Sequence, residues 1–235
     1  MKLLAFDTST ETLSVAVSRG AHAPVLSHEG AGGAQASTTL IPAILALLQQ
    51  AGVQLAELDA IVFGRGPGSF TGLRTACAVA QGLGFGAQLP VLAVDTLLAV
   101  AEEARHAAGH TRVLALLDAR MDEVYCAAYA FDGGQWATRQ APALLRPQEV
   151  ELPAGYVIAG NARPAFAARL PAAAGWFDAL PQATALLRLA PAQLAAGRAQ
   201  PAAQALPLYI RDKVAQTTEE RAAQRAAQAA ATGSP

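Results

Sequence analysis

The sequence predicts an α/β protein built from two copies of one unit, each with a mixed central sheet. Each copy opens with an apolar strand that ends in Asp, a polar turn and a second strand, at residues 3–7 and 13–17 and again at residues 113–118 and 124–129. Helical patterns follow the strands in both copies, and strands that alternate with amphipathic helices are typical of α/β folds. A chain of 235 residues is long enough for two such units.

Caps and apolar spacing mark the elements of the first copy. Ser37, Thr38 or Thr39 can cap a helix whose apolar residues recur every three or four positions, and Gly52 can end it. Pro42 lies either in the first turn of this helix or at a kink. In order, the predicted elements are a strand near residues 25–27, this helix, a strand at 60–63, a helix at 70–85, a strand at 90–94 and a helix at 97–107.

The second copy is expected to repeat the order strand, strand, strand, helix, strand, helix. Its third strand is predicted around residues 143–145, a further strand at 157–159 ends at Gly160, and residues 184–194 are helical.

This repeat divides the chain into an N-terminal subdomain, residues 1–108, and a C-terminal subdomain, residues 109–214. Residues 215–235 consist mainly of Ala, Gln, Arg and Glu with little apolar bulk, so they are expected to form a flexible tail.

The composition indicates a cytoplasmic protein without a membrane segment. The formal net charge is −1 and the pI about 6.4, so the whole chain is not marked as a polyanion binder. Cys77 and Cys126 lie among apolar neighbours, as expected for core thiols in a reducing compartment. The first residues become polar too early for a signal peptide, and no apolar run has membrane-spanning length.

The most informative segment is the glycine-rich loop at residues 64–74, Gly-Arg-Gly-Pro-Gly-Ser-Phe-Thr-Gly-Leu-Arg, between a strand and a helix. Such a loop can hold phosphate, hold a dinucleotide, or position the helix for contact. A phosphate loop needs Lys and Ser or Thr after its last glycine, whereas Gly72 is followed by Leu-Arg-Thr. A dinucleotide loop is favoured by Asp95 but opposed by Ser69 at the third glycine position and by Pro67.

Four ordered segments resemble the signature of the TsaB (YeaZ) family. They are Asp7-Thr8-Ser9-Thr10-Glu11, the glycine-rich loop, Asp118-Ala119-Arg120-Met121-Asp122-Glu123-Val124-Tyr125, and Pro207-Leu208-Tyr209-Ile210-Arg211-Asp212-Lys213-Val214-Ala215. The resemblance extends over about 210 residues. It implies two RNase H-like subdomains of the actin, Hsp70 and sugar-kinase (ASKHA) superfamily.

The resemblance also implies a non-catalytic subunit with no cofactor of its own. In this family the chain binds TsaD directly as a heterodimer and assembles with the ATPase TsaE. The complex transfers threonylcarbamoyl from threonylcarbamoyl-adenylate to N6 of adenosine 37 in tRNAs that read ANN codons. A homodimer of the chain alone stays an open alternative, and tRNA is expected to be reached indirectly, through the complex.

The helix after the glycine-rich loop carries small residues at turn spacing, with Gly72, Ala76 and Ala80 on one face. Small residues let another backbone come close, which is either the chain's own sheet or a partner helix. TsaB proteins pair through this helix and the preceding one, so the resemblance favours a partner. The contacts it implies are Leu40, Ile44, Leu47, Leu73, Arg74, Ala76, Cys77, Ala80 and Gln81.

The turn Asp7-Thr8-Ser9-Thr10 stands where superfamily members wrap a turn around nucleotide phosphates. The alternative is a turn whose side chains bind only local backbone groups. In the second copy, the turn at 118–122 has Met and two acids where an ATPase offers Gly and Ser or Thr. We therefore expect a vestigial nucleotide site, and an autonomous ATPase or phosphotransferase is the alternative function.

Neither a metal site nor a nucleophile is predicted. His106 and His110 could share one helix face, but Gly109 lies between them at a helix end and arginines flank the pair. Both are therefore expected to be solvent-exposed linker residues. Ser69 is not in a Gly-x-Ser-x-Gly elbow, so hydrolase chemistry is not supported.

Overall fold

Ten strands form two five-stranded sheets in the computed structural model, which describes residues 1–20 and 23–211. The first sheet contains β1 (Leu3–Asp7), β2 (Thr12–Ser18), β3 (Leu26–Ala31), β4 (Ala60–Gly66) and β5 (Val91–Asp95). The second contains β6 (Arg112–Arg120), β7 (Glu123–Asp132), β8 (Gln135–Leu145), β9 (Val157–Gly160) and β10 (Trp176–Asp178). The helices are α1 (Ala36–Ala51), α2 (Phe70–Ala87), α3 (Thr96–Ala108), α4 (Arg163–Phe166) and α5 (Ala183–Ala195).

The two sheets have the same topology. Their strand orders are β3-β2-β1-β4-β5 and β8-β7-β6-β9-β10. In each sheet the first three strands are antiparallel and the last two join in parallel. This confirms the duplicated α/β fold with mixed sheets that the repeat predicts.

The second copy departs from the predicted order at its first helix. Between β8 and β9 the chain forms only a short 3-10 turn, Pro147–Glu149, and no α-helix. Pro147, Pro153 and Gly155 interrupt this segment, and prolines and glycines disfavour a helix interior. The helix α4 that follows β9 has four residues.

The first sheet is covered on both faces. Leu4 and Phe6 of β1 pack on one face with α1 and α2, whereas Leu3 and Ala5 pack on the other face with α5. This alternation follows from the two-residue period of a strand. Because both faces are buried, the strands read as nearly continuous apolar runs.

Two helices pack across the predicted division at residue 108. All strands of the first sheet precede that residue and all strands of the second follow it. However, α5 comes after the second sheet in sequence and packs on the first, while α3 comes before the second sheet and packs on it. The two subdomains therefore exchange helices, although α3 also contacts β4 and β5, and the division at residue 108 stays a prediction.

A buried ion network joins the exchanged helices. Glu102 of α3 is almost fully buried and accepts hydrogen bonds from Arg105, from Arg188 of α5 and from the indole of Trp136 on β8. Arg188 also pairs with Glu103. A buried carboxylate is tolerated when its oxygens are paired in this way.

The C-terminal ends of two helices agree with the predicted glycine signals, whereas the predicted cap of α1 is wrong. The helix begins at Ala36, so Ser37, Thr38 and Thr39 lie inside it and their hydroxyls donate to the carbonyls of Ala34 and Gln35. Gly52 and Gly109 adopt left-handed conformations with φ of 63° and 74° after α1 and α3. Pro42 lies inside α1, beyond its first turn. Among the described residues, no helix is both long and apolar enough to cross a membrane. The predicted tail, residues 215–235, lies outside the described residues.

Candidate functional site

The turn at residues 7–10 is buried, and its side chains bind groups of the chain itself. The Thr8 hydroxyl donates to the Gly72 carbonyl at 2.7 Å. The Ser9 amide and hydroxyl both donate to Asp7 Oδ1, at 2.8 and 2.5 Å. The Thr10 hydroxyl contacts the backbone of Thr12. Each hydroxyl of the predicted phosphate turn therefore has a local partner.

The glycine-rich loop packs directly on this turn. A Cβ at Gly64 would lie 1.8 Å from Asp7 Oδ2, and one at Gly72 would lie 1.8 Å from the Thr8 carbonyl oxygen. Gly68 faces the Ser9 carbonyl in the same way, at 2.5 Å. Three glycines of the loop therefore serve close approach between two segments of this chain.

Asp7 lies at the centre of this contact. Its Oδ2 accepts a hydrogen bond from the Thr96 hydroxyl at 3.1 Å, and the same hydroxyl oxygen accepts from the Gly66 amide. Burial raises the pKa of the Asp7 carboxyl, and the hydrogen bonds from Ser9 and Thr96 offset this only in part. The carboxyl thereby connects β1, the glycine-rich loop and α3.

The second turn, residues 118–122, is held by charged side chains. Arg120, Met121 and Asp122 all have positive φ, at 60°, 53° and 65°. Asp118 accepts hydrogen bonds from the Arg120 amide and guanidinium, and Arg169 binds both oxygens of Asp122. Left-handed backbone is unfavourable for residues with a Cβ, so these contacts stabilise a strained turn.

The four segments that resemble the family signature meet at one cleft between the subdomains, of about 350 Å³. Arg120 and Glu11 approach to 3.8 Å across it. The sequence places these segments far apart, and only the fold brings them together. The lining contains Ser9, Thr10, Glu11, Gly68, Ser69, Phe70, Leu73, Leu117, Asp118, Ala119, Arg120, Met121, Tyr125, Asn161, Leu208, Tyr209, Ile210 and Arg211.

One wall of the cleft is a segment to which sequence reasoning assigns no structure. We name residues 200–211 the C-terminal strap. It starts beside β5, where Gln200 and Val91 exchange two backbone hydrogen bonds of 2.9 Å. It then follows α2 and the glycine-rich loop, where the Leu208 amide donates to the Arg65 carbonyl. The sequence signal for the strap is the family motif that begins at Pro207, whose first five residues, 207–211, form its end.

Most of the predicted partner contacts are buried inside the chain. Seven of the nine are in the core of the first subdomain or beside the cleft, and none of the seven is more than 5% exposed: Leu40, Ile44, Leu47, Leu73, Ala76, Cys77 and Ala80. This apolar stripe packs on the sheet, so these side chains do not face solvent in the single chain, and their contact with a partner stays a prediction. Arg74 is exposed, and Gln81 is half-buried with its amide donating to the Ala205 carbonyl.

A different face of α1 and α2 is exposed. Ile41 is 45% exposed, Leu45 56% and Phe85 83%. Gly82 and Gly86 lie on α2, and apart from their own helical turn no atom of residues 1–20 or 23–211 lies within 4 Å of a Cβ added there. We name these five residues the outer helix face. The sequence signal for it is the Ile41–Leu45 pair at i, i+4 and a single large aromatic among glycines.

The two histidines do not share an environment. His106 is exposed at the end of α3, as predicted, whereas His110 is half-buried with its ring 6.2 Å from that of Phe177. Within residues 1–20 and 23–211, no group of three or more His, Cys, Asp or Glu side chains could hold a metal ion.

Comparison with known proteins decides the family. The family model described as "TsaD: tRNA N6-adenosine threonylcarbamoyltransferase" matches residues 31–233. The tRNA threonylcarbamoyladenosine biosynthesis protein TsaB of Escherichia coli (strain K12) is 36% identical over 239 residues, covering 92% of this chain and 96% of the relative. The chain belongs to the TsaB (YeaZ) family.

Other members of the family agree. TsaB of Haemophilus influenzae is 43% identical over 127 residues, covering 53% of this chain and 52% of that protein. The solved structure of YeaZ from Pseudomonas aeruginosa superposes with a TM-score of 0.82 at 43% identity, covering 88% of this chain and 99% of that one. The match to the TsaD model includes α1 and α2, so these helices belong to the part shared with that family.

Proposed function

We propose that this chain is a non-catalytic partner subunit in the synthesis of N6-threonylcarbamoyladenosine at position 37 of tRNAs that read ANN codons. It would act in the cytoplasm, bind TsaD directly, and join TsaE in the complex. tRNA would be reached through the complex. Support comes from family membership and from the similarity between this chain and the TsaD family model.

The observation that carries the proposal is the outer helix face. Phe85 is 83% exposed, and exposed aromatic side chains with aliphatic neighbours are characteristic of protein interfaces. Glycine costs about 1 kcal/mol relative to alanine in a helix interior. In the described part of the chain, Gly82 contacts nothing that would require a glycine, which is the arrangement expected if a partner backbone approaches there.

The similarity to the TsaD family favours TsaD as the partner that binds the outer helix face. Because the TsaD model matches the region that contains α1 and α2, a TsaD chain has related helices to place against them. Two related helix pairs can meet in a nearly symmetric contact. The same argument allows a second copy of this chain, so the homodimer would use the same face.

The non-catalytic role is supported by the buried turn at 7–10. A nucleotide-binding turn offers free donors to phosphate, whereas here the hydroxyls of Thr8, Ser9 and Thr10 bind groups of the chain. An autonomous ATPase or phosphotransferase would need these contacts to open.

The proposal is tested by introducing arginine on the outer helix face. Phe85→Arg and Leu45→Arg each remove an exposed apolar side chain and place a charge in the contact, so each should weaken TsaD binding at least about tenfold. Ala192→Arg is the control, because it introduces the same charge at an exposed position on α5, across the first sheet. Binding is measured by calorimetry with purified TsaD, beside a thermal melt of each variant.

Wild-type binding that both variants lose, with unchanged melts and an unaffected control, would support the proposal. Binding that tolerates both arginines would place TsaD on another surface. Absence of wild-type binding, together with ATP turnover by the pure chain, would favour the ATPase alternative. Sedimentation of the same variants would test the homodimer.

A further inference from the structure

The C-terminal strap is attached to α2 along its length. Gly84 leaves the space that Ala202 of the strap occupies, since a Cβ there would lie 2.9 Å from the Ala202 Cβ. The Gln81 amide donates to the Ala205 carbonyl at 2.8 Å. These contacts lie on the side of α2 next to its outer face.

The strap meets the N-terminal end of α2 through an aromatic and arginine cluster. The rings of Tyr209 and Phe70 stack with centroids 5.5 Å apart. The Arg74 guanidinium lies 3.7 Å above the Phe70 ring, and its Nε donates to the Tyr209 hydroxyl at 3.0 Å. All three side chains are exposed, so a partner on α2 can reach them. These contacts join α2 directly to Tyr209 of the strap.

Two residues after Tyr209, Arg211 of the strap binds the second turn. The Arg211 guanidinium donates to the Glu123 carboxylate at 2.6 Å and to the Ala119 carbonyl at 3.0 Å. It also contacts the Met121 sulfur at 3.2 Å. The turn between Ala119 and Glu123 is the left-handed segment, whose residues disfavour that backbone.

Two arginines from different parts of the chain thus hold the same strained turn. Arg169 binds Asp122 and belongs to the second subdomain. Arg211 binds the base of the turn and belongs to the strap, which hydrogen-bonds the first subdomain through Gln200 and Leu208 and packs on the second through Ile210. Within the described part of the chain, Arg211 hydrogen-bonds the turn to the strap on α2, and Arg120 of the turn also lies 3.8 Å from Glu11, beside the turn at 7–10.

We propose that the C-terminal strap couples the partner surface on α2 to the second turn, with Arg211 as the positioning residue that holds this wall of the cleft closed. The proposal rests on the proposed function, since it assigns regulation to the TsaD-binding surface. A ligand shifts an equilibrium between two arrangements only through contacts that differ between them. Here the differing contact is the set of hydrogen bonds from Arg211 to the second turn, which is kept in one arrangement and broken in the other.

The test compares Arg211→Gln with Arg169→Gln by hydrogen exchange of the isolated chain and by TsaD affinity. In Arg211→Gln, the amides of residues 120–123 and the Leu208 amide should exchange at least tenfold faster, and TsaD affinity should change at least threefold. In Arg169→Gln, the turn should exchange faster while the Leu208 amide and TsaD affinity stay within twofold of wild type. In the wild type, TsaD should slow exchange in residues 120–123.

The outcomes separate the two proposals. Unchanged Leu208 exchange or unchanged TsaD affinity in Arg211→Gln overturns the coupling and leaves TsaD binding intact. An equal loss of affinity in Arg169→Gln overturns the role of the strap. If Arg211→Gln does not fold, the wild-type comparison with and without TsaD decides, because an unprotected turn rejects the coupling. Failure of the wild type to bind TsaD overturns the proposed function itself.

Discussion

Two glycines on α2 should respond in opposite ways to the same substitution. Gly72 faces the Thr8 carbonyl, whereas Gly82 faces open space. Neither has a positive φ that would itself penalise alanine. Comparing Gly72→Ala with Gly82→Ala therefore measures how much the close contact between the turn at 7–10 and α2 matters for stability.

The geometry sets the expected magnitudes. A Cβ at Gly72 would lie 1.8 Å from a backbone oxygen, while real contacts stay above 3.0 Å, so α2 and the turn would have to separate by about 1.2 Å, the difference of these distances. Overpacking costs about 1–3 kcal/mol, and the bond from Thr8 to Gly72 contributes about 1 more. At about 2–4 °C per kcal/mol, Gly72→Ala should lower the Tm by roughly 5–15 °C.

Gly82→Ala should instead raise the Tm by about 2–4 °C, because alanine is favoured over glycine in a helix by about 1 kcal/mol. Circular dichroism melts of both variants, with wild type, measure the difference. A Gly72→Ala melt equal to wild type would refute the close contact between turn and loop. If Gly82 admits a partner backbone, Gly82→Ala should also weaken TsaD binding while stabilising the chain.

Three further predictions concern buried ionisable groups. Burial raises the pKa of Asp7, so the native state loses stability as the pH rises from about 4 through that raised pKa. Asp7→Asn should then melt at or above wild type at pH 8, and a lower melt would show that the charge is needed. Burial disfavours the ionised form of Glu102, but its hydrogen bonds, led by those from Arg105, lower its pKa overall. Ionised Glu102 therefore stabilises the native state above about pH 4.3, and this stabilisation is lost as the pH falls through the lowered pKa. Glu102→Ala should cost about 3–5 kcal/mol at pH 7 by leaving buried donors unpaired, and its melt should approach wild type in acid; a parallel pH profile would contradict this. Burial raises the pKa of Cys77 to about 11 and of Cys126 to about 12, so a thiol reagent at pH 8 should modify both only after unfolding, and rapid modification of the folded chain would show that they are accessible.

Strands and long helices were predictable because their signals are local. The strand that begins at Leu3 ends at Asp7 as expected, whereas β6 continues past Asp118 to Arg120, and α2 begins at Phe70, the start predicted for it. Gly52 ends α1 through a conformation that few other residues adopt readily. Period, caps and glycine positions are properties of short segments, so they can be read without the fold.

The orientation of the helices was not predictable in the same way. Apolar residues occur on two sides of α1, and only packing on the sheet decides that Ile44 is buried while Leu45 is exposed. Most of the predicted partner residues lie on the more continuous apolar side of the helices, and this is the side that a core requires. An interface stripe is what remains apolar after the core is formed, so it is visible only when the core is known.

The sequence by itself determined the duplicated α/β unit, the helices and strands of its first copy and the four segments that resemble the family. Tertiary structure alone decided that these segments share one cleft, that α3 and α5 are exchanged between the sheets, and that the strap connects α2 to Arg211 and the second turn. The physical reason is range. Propensity and periodicity act over a few residues, whereas burial and pairing depend on groups that lie up to about two hundred positions apart in this chain, as Ser9 and Arg211 do.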